Sequence, residues 1–343
     1  MTLQNHYDCF VDLGIAMKQL SQKQDSTHFT FTDFDAVMQR AYNENNWFTK
    51  ENILLAIGNL AEMLQAENLQ KWIARYPTLK NEHPQKTVGL IFAGNIPLVG
   101  FHDLLTGLIA GHRIIAKLSS KDRILTQWLR QMLIAYNPEY RDMIVFTEGQ
   151  ISGFDAVIAT GSDSSAQYFE RYFAKVPHII RRNRNTVAIL SGNETKNELD
   201  GLADDIFSFF GLGCRNVSKL YIPENYDITN LKPHFSRYEH ILHHHKYTNN
   251  FEYRRVIFLM NKVAHTDFGF VLLKEDNGLV SPPGIIYYEY YSNRKTLDFN
   301  LDLIKDRLQV IVSKEHYNFG TTQKPALWDY ADAVDTLDFL LNL

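Results

Sequence analysis

Cysteine is scarce in this chain of 343 residues: Cys9 and Cys214 are its only two, and they lie far apart. That excludes a disulfide framework and a cysteine-based zinc cluster. An excess of either charge is also missing. Lys and Arg number 35 against 39 Asp and Glu, a net charge of −4, so nothing suggests a general surface for nucleic acid or anionic membrane. No run of roughly 18 apolar residues occurs, which excludes a membrane-spanning helix. The opening Met1-Thr2-Leu3-Gln4-Asn5-His6-Tyr7-Asp8 lacks the basic and then apolar stretches of a secretory leader. The expectation is a cytoplasmic protein. Internal repeats and low-complexity linkers are absent, as are the Gly-x-Gly-x-x-Gly and Gly-x-x-x-x-Gly-Lys-Ser/Thr fingerprints.

What is present is globular material, 45% hydrophobic and 22% charged, enough for a large core. Residues 1 to about 80 read as helical, with apolar positions at Phe10-Val11, Leu13, Ile15-Ala16 and Leu20. Thr32 and Thr49 are candidate helix caps. From residue 86 the rhythm changes. Short apolar runs at 88–92, 114–116, 143–146 and 156–159 alternate with amphipathic stretches near 100–110, 122–135 and 163–174. This alternation predicts βαβ crossovers and a largely parallel sheet. Further strands are expected at 178–180 and 186–190. A helix from Leu199 through Phe210 then leads into a second α/β region with strands near 217–222, 268–273, 284–290 and 308–312. Pro325 to Leu343 reads as a terminal helix.

Four clusters hold residues suited to chemistry. Cys214 stands in Gly211-Leu212-Gly213-Cys214-Arg215-Asn216, where glycines permit a sharp turn and Arg215 favours a thiolate. A buried structural cysteine is the plainer alternative, and residue types alone leave the two evenly balanced. Asn95, in Phe92-Ala93-Gly94-Asn95-Ile96-Pro97, follows the first parallel strand and has an amide fit for an oxyanion, although Gly-Asn also makes ordinary turns. Lys117, in Lys117-Leu118-Ser119-Ser120, suits a ribose or phosphate, or is a solvated strand end. In Thr160-Gly161-Ser162 the serine either caps a helix or meets a pyrophosphate.

In this order the four clusters resemble the aldehyde dehydrogenase superfamily, with its Asn-x-Pro loop, its Lys after the second cofactor strand, its Gly-Ser before a helix and its catalytic Cys. The likeness covers roughly residues 86–222. Within the superfamily the chain is most similar to the LuxC-like fatty acyl-CoA reductases, which it resembles also at Ser281-Pro282-Pro283-Gly284 and from Gly320 to Leu337. The resemblance implies an α/β fold, with a parallel nucleotide-binding sheet and a second α/β catalytic domain. The expected division is 1–85 helical, 86–210 NAD(P)-binding and 211–320 catalytic. Residues 321–343 would be a helix packing back on the cofactor domain or at an oligomer interface. It further implies Cys214 and Asn95 as catalytic residues, and Lys117, Ser119, Ser120, Gly161 and Ser162 as cofactor-binding residues.

Two departures sharpen the expectation. The family's water-activating glutamate, about 34 residues before the cysteine, has no counterpart here: Ile179-Ile180-Arg181-Arg182-Asn183-Arg184-Asn185 contains no carboxylate. A thioester on Cys214 would then resist hydrolysis and favour reduction or thiol exchange. Where the family often has a ribose-binding glutamate, three positions after the lysine, stands Ser120 with Lys121 beside it, which tolerates a 2′-phosphate and favours NADPH over NADH. The implied activity is reduction of an acyl-CoA or acyl-carrier thioester to the aldehyde. Two alternatives stay open, an acyl-phosphate (semialdehyde-type) reductase and a non-reducing acyl-transfer component of a complex. A homo-oligomer and an acyl-transferase or synthetase partner are also implied, while nucleic acid is not. No metal site is expected: His243-His244-His245 reads as a surface loop, and Arg181 to Arg184 as a solvated strand edge or a phosphate grip.

Overall fold

The computed structural model describes residues 1–81 and 84–343. It divides into two compact units, Met1–Asn183 with Lys324–Leu343, and Arg184–Gln323.

The first unit opens with four helices, α1 (Leu3–Ser21), α2 (Phe31–Glu44), α3 (Lys50–Met63) and α4 (Ala66–Ile73). Threonine hydroxyls cap the first three by accepting backbone N–H groups that have no partner within the helix: Thr2 from Asn5, Thr30 from Asp33 and Thr49 from Asn52. The second cap is therefore Thr30, not the expected Thr32. Thr30 Oγ1 also donates to Asp33 Oδ2 at 2.7 Å, which starts the helix two residues earlier. Five parallel strands follow: β1 (Thr87–Ile91), β2 (Arg113–Lys117), β3 (Ile144–Thr147), β4 (Ala156–Thr160) and β5 (His178–Arg181). Their spatial order is β3-β2-β1-β4-β5. Crossover helices α5 (Phe101–Ile109), α6 (Arg123–Tyr136), α7 (Tyr140–Met143) and α8 (Asp163–Tyr172) connect them.

Alternation along the strands sends side chains to two cores. Val88, Leu90, Ile114, Ala116, Ile144 and Ile158 join Phe10, Leu13, Met17, Leu105 and Leu129 in the larger one. Val157 and Ala159 pack on the other face with Ile151 and Phe173. The N-terminal helices thus share one core with the sheet and form no separate body. Trp72 Nε1 donates to Tyr330 Oη at 2.7 Å, and Leu327, Leu337 and Leu340 complete the same core. The terminal segment is mostly turns. Asp332 and Ala333 take left-handed backbone angles, φ 60° and 54°, and only a short helix at Thr336–Leu341 follows, not one running from Pro325.

The second unit is built on β6 (Asn185–Ile189), β7 (Val217–Pro223), β8 (Thr266–Asp267), β9 (Leu272–Glu275), β10 (Ile285–Tyr291) and β11 (Leu308–Val312). Their order is β11-β6-β7-β10-β9-β8, with only the β8–β9 pair antiparallel. Helices α9 (Lys196–Phe207), α10 (Lys232–Phe235), α11 (His245–Met260) and α12 (Arg294–Asp302) accompany it. The chain divides at residues 183 and 184 instead of 210 and 211, because β6 pairs with β7 and β11 and carries α9 with it. The return crossing falls at 323 and 324. Up to Thr322 the chain is tied to Asp205, whose carboxylate accepts from Gly320 N at 2.7 Å, Thr322 N at 3.0 Å and Thr322 Oγ1 at 2.8 Å.

Candidate active site

Strand order decides what meets at the carboxyl edge of the first sheet. Ile91, the last residue of β1, pairs with Lys117 of β2 on one side and Ala159 of β4 on the other. The segments after those three strands are the Asn95 loop, Lys117-Leu118-Ser119-Ser120 and Gly161-Ser162, so the sequence-predicted cofactor residues leave adjacent strands at one edge. The order turns between β1 and β4, the place where open α/β sheets hold nucleotides.

Each residue has a definite setting there. Asn95 is exposed at the tip of its loop, and Lys117 is half-buried at the end of β2. A Cβ on Gly94 would lie 2.4 Å from Ser119 Oγ, so glycine is what lets the two loops touch. Ser119 Oγ also accepts from Lys121 N at 3.3 Å, which gives this hydroxyl a role inside the loop, while Ser120 and Lys121 are exposed. Ser162 Oγ caps α8 by accepting from Ser165 N at 3.3 Å. A Cβ on Gly161 would meet the Ser165 side chain at 2.8 Å, so the room at this glycine is taken by the first turn of α8.

Cys214 lies in the second unit, exposed, on the turn between α9 and β7. The expected helix through Phe210 stops at Phe207. Phe209, Phe210 and Gly211 then take left-handed angles, φ 53°, 57° and 73°. Two consecutive non-glycine residues in that region are strained, and the surroundings hold them there. Both phenylalanines are buried, and the Phe210 ring packs 4.5 Å from that of His244. Asn216 closes the turn. Its Oδ1 accepts from Gly213 N at 2.8 Å, and its Nδ2 donates to the carbonyls of Asp205 at 3.0 Å and Ser208 at 2.9 Å, groups the end of α9 leaves open. Thr186 Oγ1 of β6 donates to the Cys214 carbonyl at 2.9 Å.

The remaining candidates have structural settings. Arg181 is buried, 2.7 Å from Asp103, and donates to Thr336 Oγ1; Arg182 pairs with Glu170, and Arg184 donates to the Leu308 carbonyl. His244 caps α11 while His243 and His245 are exposed. Cys9 is buried on α1, and burial, with Asp12 and Asp8 adding to it, pushes its thiol up to about 11. Sequence reasoning overlooked Asn216 and Asp122. An asparagine two places after a glycine-flanked cysteine was the available signal for the first; nothing local marked the second.

The family model for acyl-CoA reductase (LuxC) matches residues 15–232, more than half of the chain. The chain belongs to this family. It is 24% identical over 215 residues to the long-chain acyl-protein thioester reductase of Aliivibrio fischeri, a match covering 57% of this chain and 44% of that protein. It therefore spans less than half the length of that curated relative. Among solved structures, aldehyde dehydrogenase 21 from Physcomitrella patens, in complex with the reaction product succinate, superposes with a TM-score of 0.66 at 11% identity, covering 100% of this chain and 84% of that one. The NAD+ complex of an aldehyde dehydrogenase from Bacillus cereus gives 0.61 at 11% identity, over 92% and 72%. The fold of this LuxC-family chain is that of the aldehyde dehydrogenases. No helix among the described residues is long and apolar enough to cross a membrane.

Proposed function

We propose that this LuxC-family chain reduces an acyl thioester, of CoA or of an acyl-carrier protein, to the aldehyde through an acyl group carried on Cys214. The observation that supports this most is the exposed Cys214 on a turn held by strained backbone and by the buried amide of Asn216. A merely structural cysteine needs neither exposure nor such a mount.

As thiolate, the Cys214 sulfur attacks the thioester carbonyl carbon. A carbon–sulfur bond forms, the donor's carbon–sulfur bond breaks, and the donor leaves as its thiol after taking a proton. The Asn95 amide and the Cys214 backbone N–H hold the negative charge on the carbonyl oxygen. Lys117, Ser120, Gly161 and Ser162 would hold the cofactor. An exposed Ser120 and Lys121 in place of a carboxylate suit NADPH, and the turn in strand order beside Asn95 suits a dinucleotide. When bound, the reduced nicotinamide supplies a hydride to the acyl carbon. The Cys214 sulfur then departs as thiolate and leaves the aldehyde. Ile180 stands where the aldehyde dehydrogenases' water-activating glutamate is expected, so the acyl-cysteine lacks that base and survives until it is reduced.

The test follows NAD(P)H absorbance with a panel of acyl-CoA and acyl-carrier thioesters, using Cys214→Ala as control. Oxidation that requires both a thioester and Cys214 is expected. Full activity in Cys214→Ala would end this reading. Activity with acyl phosphates and none with thioesters would replace it with the semialdehyde-type alternative.

A further inference from the structure

Asp122 occupies the position that should cap α6, yet its side chain makes no capping bond there. It turns inward and is only 5% exposed. Its Oδ2 accepts a hydrogen bond from Leu98 N at 2.7 Å, across to the loop that follows β1. Its Oδ1 has no hydrogen-bond partner among the described residues. No cation among them pairs with it: the neighbouring Arg123 is committed to Glu44 at 2.6 Å and Glu148 at 2.8 Å, and Lys121 is exposed. A helix has thus forgone a cap and a carboxyl group has been buried, both unfavourable, for one bond to a backbone amide.

The recipient of that bond is unusual as well. Leu98 has φ 56°, a conformation that branched side chains rarely take, and it lies three residues after Asn95. Its carbonyl accepts from Phe101 N at 3.0 Å, the first residue of α5, so Leu98 joins the Asn95 loop to the helix behind it. On the other side, Asp122 N donates to the Ser119 carbonyl at 3.2 Å, and Ser119 is the residue pressed against Gly94. One buried carboxyl therefore ties the loop after β1 to the loop after β2.

We propose that Asp122 is the positioning residue of the Asn95 loop, holding Leu98 left-handed and so setting where the Asn95 amide is presented. This rests on the reading of Asn95 as the oxyanion donor. Burial pushes the Asp122 carboxyl well above the usual carboxylate range. An amide oxygen can accept the same bond from Leu98 N, so asparagine should serve in its place.

The experiment uses the full chain as Asp122→Ala, Asp122→Asn, Asn95→Ala and the double alanine variant. It reads kcat and KM, NADPH affinity by fluorescence, and hydrogen exchange in the peptide spanning residues 92–100. Asp122→Ala should lower kcat about 10–100-fold with KM and cofactor affinity changed by less than about threefold. It should expose the Leu98 amide to exchange and cost nothing further once Asn95 is alanine. Asp122→Asn should keep both the rate and the protection of Leu98. Additive losses in the double variant, an unprotected Leu98 in Asp122→Asn, or an unchanged Leu98 in Asp122→Ala would each overturn the proposal. Should Asp122→Ala fail to fold, the asparagine variant still decides it. A wild type silent with every thioester would remove the reductase reading alone, and Leu98 exchange would still settle what Asp122 does.

Discussion

The side-chain amide of Asn216 satisfies an N–H of the cysteine turn and two carbonyls at the end of α9, and it is 3% exposed. Removing it leaves several buried polar groups without partners, each costly in a place water does not reach. Asn216→Ala should therefore destabilise the chain by about 2–4 kcal/mol in urea denaturation, while Cys214→Ala, on an exposed side chain, should stay within about 0.5 kcal/mol. Equal effects from the two would mean that the turn is not held by Asn216. Residue identity announced Cys214 because thiols are rare here and this one is flanked by glycine. It was mute about Asn216 and Asp122, whose importance comes from partners across the fold: an asparagine in a turn and an aspartate before a helix are ordinary sights.

Elements were legible wherever periodicity and caps agreed. The four apolar runs between 88 and 159 became β1 to β4, and β1 and β4, inside the sheet, are the most continuously apolar because a strand buried on both faces must be apolar throughout. Failures occurred where backbone conformation overrode the pattern. Phe209 and Phe210 continue the apolar rhythm of α9 but are left-handed, and Asp332 and Ala333 interrupt the terminal helix in the same way. No periodicity argument detects a positive φ at a non-glycine residue. The docking of α1 carries a pH signature. His6 Nδ1 on α1 shares a hydrogen bond with Tyr140 Oη at 2.9 Å, and burial lowers the imidazole to about 4. The folded state keeps His6 neutral while the unfolded chain takes up a proton near 6.5, so this contribution is present above that pH and is lost as pH falls towards 4. Between pH 7 and 4.5 the loss should be on the order of 2 kcal/mol, and His6→Phe should flatten that slope in denaturation curves. A slope unchanged by the substitution would assign the acid sensitivity elsewhere.

Across the whole chain, the order of motifs conveyed more than any one of them. Asn95, Lys117, Ser162 and Cys214 are each unremarkable alone, yet their sequence resembled a family that the model match over residues 15–232 then identified. Domain division was less legible, since β6 and α9 look from sequence like a continuation of the first sheet and only strand pairing assigns them to the second. The central claim is that an acyl group resides on Cys214 before reduction. It is tested most directly by mixing the protein with an acyl-CoA in the absence of cofactor, measuring intact mass and mapping the adduct, then adding NADPH. The account predicts one acyl mass on the Cys214 peptide, stable to water, that disappears on addition of NADPH as an equal amount of aldehyde forms. An adduct on another residue, or one that water removes as fast as NADPH does, would contradict it.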